Sequence, residues 1–265
     1  MEHRTTISKL YATWESIIDL CSTLDERGWK TMTRCPGWTV QDNLSHLIAV
    51  ERMLAGLPAT EHRAGAADHV KNPIGEFNEH EVDVRRHLAG DQVLAEWRDI
   101  VAQRRQFLDA AGDDYFETKT MTPTGPGTMA DFLHIRVLDC WGHEQDMREA
   151  LGIPGHQGGP AAEHTVDRLI RTLPIVVGKR ASTPEGRGVV ISITEPVERT
   201  VPILVTGGRA AVVDAVADPI ATVTMDSMTF VGLALGRRTV DECTWTSTGD
   251  ATIAGRIVSQ LNMMI

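Results

Sequence analysis

Ile153-Pro154-Gly155-His156-Gln157-Gly158-Gly159-Pro160 interrupts this 265-residue chain with a run that neither helix nor strand tolerates. The texture differs on its two sides. Residues 1–152 carry 16 Lys+Arg and 25 Asp+Glu, and residues 153–265 carry 10 and 11; eight of the ten histidines lie in the first part. A division into residues 1–152 and 161–265 follows, both within the usual range of domain size.

The first part is patterned for helices. Leu10, Trp14, Ile17, Ile18 and Cys21 form an apolar stripe on a helix of about 20 residues. Cys35-Pro36-Gly37 breaks the chain, and Thr39 with Asp42 offers a capping box for a second helix carrying Val40, Leu44, Leu47, Ile48 and Leu54. Residues 58–73 read as a loop. Residues 74–111 read as a long helical stretch with a point of interruption at Gly90, and residues 112–127 as another loop. A fourth helix spans 128–151 and stops at Gly152 and Pro154. Four long helices predict a four-helix bundle. Beyond residue 160 the pattern mixes a helix over 161–173 and short strands at 188–194, 201–205, 211–213 and 221–225. A helix over 226–235, a strand at 244–247 and a closing helix over 251–264 complete it. The fold class is therefore α+β, a helical bundle followed by a smaller α/β domain.

Composition narrows the function. The net charge is −10 with no basic run, which argues against a nucleic-acid or anionic-membrane partner. No apolar run reaches the roughly 18–20 residues of a membrane helix, and the amino-terminal segment lacks a signal-peptide pattern. Cys21, Cys35, Cys140 and Cys243 form neither a disulfide framework nor a CxxC pair. A reduced, cytoplasmic protein is expected, as a monomer or homodimer. GxGxxG, P-loop, GxSxG and HExxH signatures are absent, which disfavours nucleotide enzymes and serine hydrolases.

Three residues carry the candidate chemistry. Asp139 and His143 stack one turn apart on the fourth helix, on a side shared with Phe132, Ile135 and Met147, and His46 lies midway along the second helix. Ionisable groups facing an apolar bundle need compensation, and a divalent cation held by two imidazoles and a carboxylate supplies it while leaving a coordination position open. An Asp–His pair at this spacing also reads as a charge pair on a wet face, and a lone histidine as an ordinary core residue. Glu144 and Asp146 compete as carboxylate ligands but lie around the helix from the other candidates. Cys35 reads as packing at a helix start, and Trp38, Trp97 and Trp141 as core or pocket wall.

Trp14, the run Arg34-Cys-Pro-Gly-Trp-Thr-Val-Gln-Asp-Asn-Leu-Ser-His46-Leu and the run Arg136-Val-Leu-Asp139-Cys-Trp-Gly-His143-Glu-Gln-Asp-Met-Arg-Glu-Ala-Leu-Gly152 resemble the mycothiol-dependent maleylpyruvate isomerase family, within the DinB-like metal-binding bundles. Met225-Asp-Ser-Met-Thr-Phe-Val-Gly-Leu-Ala-Leu-Gly-Arg237 and Gly249-Asp250-Ala-Thr-Ile-Ala are similar to that family's sterol-carrier-like domain. The resemblance implies a metal triad on His46, Asp139 and His143, a divalent metal (zinc first, nickel as the alternative), and mycothiol as a thiol cosubstrate acting on a small electrophile. It implies isomerisation or thiol transfer. Where the family has Glu, this chain has Asp139, whose carboxylate reaches about 1.5 Å less. The shorter reach implies a tighter site, a slightly rotated helix, a bridging water or a different cation. An acidic substrate calls for an arginine, for which Arg85 and Arg86 in the bundle and Arg237 in the second domain are candidates beside their reading as solvated surface residues. The alternative function is a non-catalytic metal or small-ligand binding protein with a degenerate site.

Overall fold

A computed structural model describes residues 2–263, and the chain divides into two compact units that meet in sequence between His156 and Gln157.

In the first unit, helix α1 (Glu2–Cys21) is followed by a short α2 (Glu26–Trp29), then α3 (Val40–Leu54), α4 (Pro73–Asp83), α5 (Gly90–Ala110) and α6 (Asp113–Glu117). Strands β1 (Lys119–Thr122) and β2 (Gly125–Thr128) form an antiparallel hairpin, and α7 (Met129–Leu151) ends the unit's regular structure. α1 packs on α5 and α7, and α3 packs on the same two helices, so these four make the bundle. Most of the apolar stripe of α1 is inside: Leu10, Trp14, Ile17 and Cys21 are buried, and Ile18 is half-buried at its edge. The Thr39–Asp42 capping box starts α3, with the Asp42 N–H donating to Thr39 Oγ1 and the Thr39 N–H to Asp42 Oδ2. Thr128 and Asp131 repeat that device at α7. Gly152 closes α7 in the left-handed conformation at φ 65°, where glycine carries no Cβ penalty.

The stretch 74–111 is two helices, and the expected interruption falls where α5 begins, at Gly90. A Cβ there would lie 2.1 Å from Cδ1 of the buried Trp29 indole. Glu26 Oε1 also accepts the Gly90 N–H at 2.9 Å, placing an anion at the positive end of α5. Residues 112–127 hold α6 and most of the β1–β2 hairpin instead of an open loop. Its two-residue connection leads into Gly125 at φ 112°, and the Thr122 hydroxyl donates to the Gly125 carbonyl.

In the second unit, α8 (Pro160–Ile170) leads to a π-helical turn (Ile175–Arg180), then strands β3 (Gly188–Thr194), β4 (Arg199–Thr206), β5 (Arg209–Val212) and β6 (Ala221–Asp226). Helix α9 (Ser227–Ala234), a 3-10 turn (Val240–Glu242), strand β7 (Thr246–Gly249) and α10 (Ala251–Ser259) follow. The sheet order is β5-β4-β3-β6-β7, with β3 parallel to β6 and the other pairs antiparallel. Val189, Ile191 and Ile193 of β3 alternate inward with Val201, Ile203 and Val205 of β4 and Ala221, Val223 and Met225 of β6. Both α9 and α10 pack against β6. The architecture is α+β. The closing helix stops at Ser259; its expected end at Met264 lies outside the described residues. The last strand lies two residues later than expected, at 246–249. Among the described residues no helix is long and apolar enough to cross a membrane.

Candidate metal centre

Where α3 and α7 face each other, His46, Asp139 and His143 come together. One ligand atom from each lies within 4.8 Å of the other two. His46 Nε2 is 3.4 Å from Asp139 Oδ2, and His143 Nε2 is 3.5 Å from Asp139 Oδ1. These separations are long for hydrogen bonds, whose N···O distances run to about 3.2 Å. Neighbouring donors around a tetrahedral cation with bonds of about 2.0–2.1 Å lie about 3.3–3.4 Å apart; His143 Nε2 and Oδ1 stand near that spacing, while His46 Nε2 faces the other carboxylate oxygen, Oδ2. The two imidazoles are nearly enclosed at 7% and 9% exposure, while the Asp139 carboxylate keeps 26%, so the cluster opens to solvent on the aspartate side.

His143 is held in one tautomer by its neighbours. The Asn43 amide nitrogen donates to Thr39 O at 2.8 Å and Thr33 Oγ1 at 3.0 Å, which turns the Asn43 carbonyl oxygen toward His143. That oxygen is 2.7 Å from His143 Nδ1, and Asp146 Oδ2 is 3.2 Å away, so Nδ1 carries a proton and the Nε2 lone pair faces the cluster. His46 differs: its Nδ1 is buried without a partner. The Trp38 indole lies across both rings, 5.2 Å from His46 and 5.9 Å from His143.

Burial lowers the His46 pKa against the pull of Asp139, so His46 is neutral near pH 7. Burial opposes charge on His143 as well, but Asp139 and Asp146 override it and raise its pKa. Burial would raise the Asp139 pKa, yet Arg136 and the two histidines hold it well below the ordinary carboxylate range. The cluster offers one anion and two imidazoles; a divalent cation at Nε2 would take the place of the proton that Asp139 and Asp146 favour on His143.

A second grouping, Cys35, His143 and Asp146, falls within the same spread. It draws on His143 from the side where Nδ1 already donates to Asn43, which leaves the first grouping the better donor set. Glu144 is turned away and accepts from Ser16 Oγ at 2.6 Å, Arg148 Nε at 2.7 Å and His156 Nδ1 at 2.8 Å. Cys140 is buried against Arg136, and burial pushes its thiol pKa far up.

The arginine candidates are otherwise engaged. Arg85 is buried and paired with Glu81 at 3.1 Å and Glu96 at 2.8 Å, which is neither a substrate clamp nor a solvated surface residue. Arg86 donates to Asp42, Glu79 and Asp83. Arg237, in the second unit, donates to the Leu235 carbonyl at 3.1 Å. Trp97 and Trp141 are core; Trp38 is wall.

Sequence reasoning missed the polar hub that fixes that wall. Glu79, buried on α4, accepts from the Trp38 indole N–H at 3.1 Å, His69 Nε2 at 2.8 Å and Arg86 Nη1 at 2.6 Å. His69 comes from the 58–72 connection and packs on Gly37, where a Cβ would sit 2.4 Å from its Nδ1. Burial would raise the Glu79 pKa, but the bonds from His69, Arg86 and Trp38 lower it on balance. A depressed folded pKa adds stability that is present above the ordinary glutamate value, about 4.3, and fades as pH falls through the folded value. Glu79→Gln is expected to cost about 1–3 kcal/mol near neutral pH, from hydrogen bonds to a charged acceptor. Urea unfolding of both proteins should show that difference shrinking steadily below about pH 4. A pH-independent difference would contradict the assignment.

The first unit is a helical bundle with an inward histidine–aspartate–histidine cluster that could hold a cation, and an α+β unit follows it in sequence. Residues 10–148 match the mycothiol maleylpyruvate isomerase N-terminal domain, and the chain belongs to that family. Two solved structures resemble the whole chain: the mycothiol-dependent maleylpyruvate isomerase, with TM-score 0.61 and 16% identity, and a histidine-to-alanine mutant of it, with TM-score 0.60 and 18% identity. Each alignment covers 95% of both chains, and at such identities it speaks for the fold alone. Two uncharacterized proteins of Mycobacterium tuberculosis, from strains CDC 1551 and H37Rv, are 24% identical over 151 residues, which is 56% of this chain and 56% of each of theirs.

Proposed function

We propose that this chain is a divalent-cation-dependent enzyme that ionises a low-molecular-weight thiol, mycothiol by family membership, and directs it at a small electrophilic substrate. The reading rests on the convergence of His46, Asp139 and His143 at donor separations of 3.4 and 3.5 Å. When bound there, zinc or nickel would lower the pKa of a thiol, which is a poor nucleophile until ionised.

The chain's own residues do the rest. His143, fixed by Asn43 and Asp146, presents Nε2 inward. His46 contributes the second nitrogen from α3, and Asp139 supplies the negative charge. The Trp38 indole screens the two imidazoles from water, and the partly open carboxylate side is where a thiol enters. A thiolate that adds to a conjugated cis double bond and leaves again isomerises it; one that stays attached makes the reaction a transfer.

Calorimetry tests the reading. Mycothiol titrated into the zinc-loaded protein should give a saturable heat at millimolar thiol or below, and the chelator-stripped protein none. Equal heats with and without the cation, or no heat with it, would refute thiol activation. Binding without turnover of any cis-enone or epoxide offered would favour the non-catalytic binding protein instead.

A further inference from the structure

Behind Asp139 lie three buried charges outside the triad, which with Asp139 itself make a quartet. Glu51 of α3 accepts from Arg136 Nε of α7 at 2.9 Å through one carboxylate oxygen and from Arg104 Nε of α5 at 3.1 Å through the other. Arg104, Glu51 and Arg136 are 1%, 0% and 1% exposed. Arg136 Nη1 in turn donates to Asp139 Oδ2, and its Nη2 to Cys140 Sγ at 3.2 Å. Two cations and two anions thus form one chain from α5 through α3 to the centre, and their formal charges cancel.

This arrangement has a consequence for any cation at the centre. The only carboxylate among the three ligands is already neutralised by Arg136, through Oδ2. Oδ1, the oxygen nearer His143, is the one left to bind. A carboxylate that donates one oxygen, beside a fixed positive charge, holds a cation less tightly and leaves it more electron-poor. Removing Arg136 would expose an anion to the cation. Removing the charge on Glu51 would instead leave Arg136 with one counter-ion fewer and increase its claim on Asp139.

We propose that Arg136, anchored by Glu51, is a positioning residue that sets the charge of the centre: it restricts Asp139 to one oxygen and weakens cation binding in favour of a more electron-poor ion. The inference rests on the reading of the triad as a cation site. A purely structural arginine would make every substitution in the quartet weaken binding; the proposal requires opposite signs.

The test is zinc affinity, measured by competition with a chromophoric chelator at neutral pH, on full-length protein whose folding is confirmed by circular dichroism. Arg136→Met should bind zinc on the order of tenfold more tightly and Glu51→Gln on the order of tenfold more weakly, from a unit charge acting through a protein interior. Arg136→Lys, which keeps the charge, should stay within about threefold of the unsubstituted protein. If Arg136→Met does not fold, Arg136→Gln, which removes the charge but keeps a polar side chain, takes its place and must likewise bind zinc more tightly. Cobalt-loaded protein adds a spectroscopic reading, since a change in the Asp139 ligand shifts the visible bands in Arg136→Met and spares them in Arg136→Lys. Zinc binding by the unsubstituted protein with parallel weakening in all variants, or no change in any, overturns the tuning role alone. No zinc binding by the unsubstituted protein overturns both the tuning role and the cation site.

Discussion

His143→Ala is expected to abolish stoichiometric zinc retention. Purified protein should fall from about one equivalent to background by elemental analysis, and affinity should drop by more than the about 10–100-fold typical of losing an outer-shell partner. The reason lies in how completely this imidazole is built in. Its Nδ1 proton is spoken for by Asn43 and Asp146, its ring lies under Trp38, and its Nε2 has one place to point. The same substitution empties both donor groupings, so Cys35→Ser is the necessary companion. That change touches only the grouping with Asp146 and should leave affinity within about threefold. His46→Ala should cost less than His143→Ala, because a ring whose Nδ1 has no partner is less firmly oriented as a ligand. Retention of a full equivalent by His143→Ala would end the proposal. Loss on Cys35→Ser would move the cation to the other face of the ring.

What could be read from the residues, and what could not, divides along a physical line. Local signals were readable. Thr39 and Thr128 cap their helices through bonds that span three residues, and Gly152 stops α7 through its own φ. The i, i+4 spacing of Asp139 and His143 follows from helix geometry alone. Non-local causes were not. Gly90 marked the break before α5, but the Trp29 indole that fills the space over it lies 61 residues away in sequence. The π-helical turn at 175–180 has a β-branched sequence, Ile-Val-Val, that carries no helical signature. Arg85 looked available because a sequence shows a charge without its partners; only the α4–α5 turn reveals Glu81 and Glu96 on either side. Arg136 had a usable signal, since it precedes Asp139 by three residues on one helix. Glu51 had a weaker one, a charge five residues beyond His46, directly after the apolar run 47–50. Neither could be connected to the other until α3 and α7 were laid side by side.

Glu51→Ala should destabilise the protein by about 3–5 kcal/mol, the range for removing one partner of a buried ion pair. The size follows from what is left behind, not from what is removed. Two guanidinium groups, each about 1% exposed, would lose their shared carboxylate. Arg104 is already short of a partner, since its Nη2 is buried without one, and its remaining bond is to the Leu54 carbonyl at 3.2 Å. Neither side chain can reach water without opening the α3–α5–α7 contact, and added salt cannot screen charges that solvent does not reach. The loss should therefore persist in high salt, whereas a surface pair such as Arg34–Glu149, 39% exposed on both sides, should contribute no more than about 1 kcal/mol and less as salt rises. Urea denaturation of Glu51→Ala and Glu149→Ala at low and high ionic strength makes the comparison. A cost below about 1 kcal/mol for Glu51→Ala would mean that water already reaches the arginines. The quartet would then be too well solvated to hold Asp139 in place, and the electrostatic coupling between the bundle interior and the centre would fail with it.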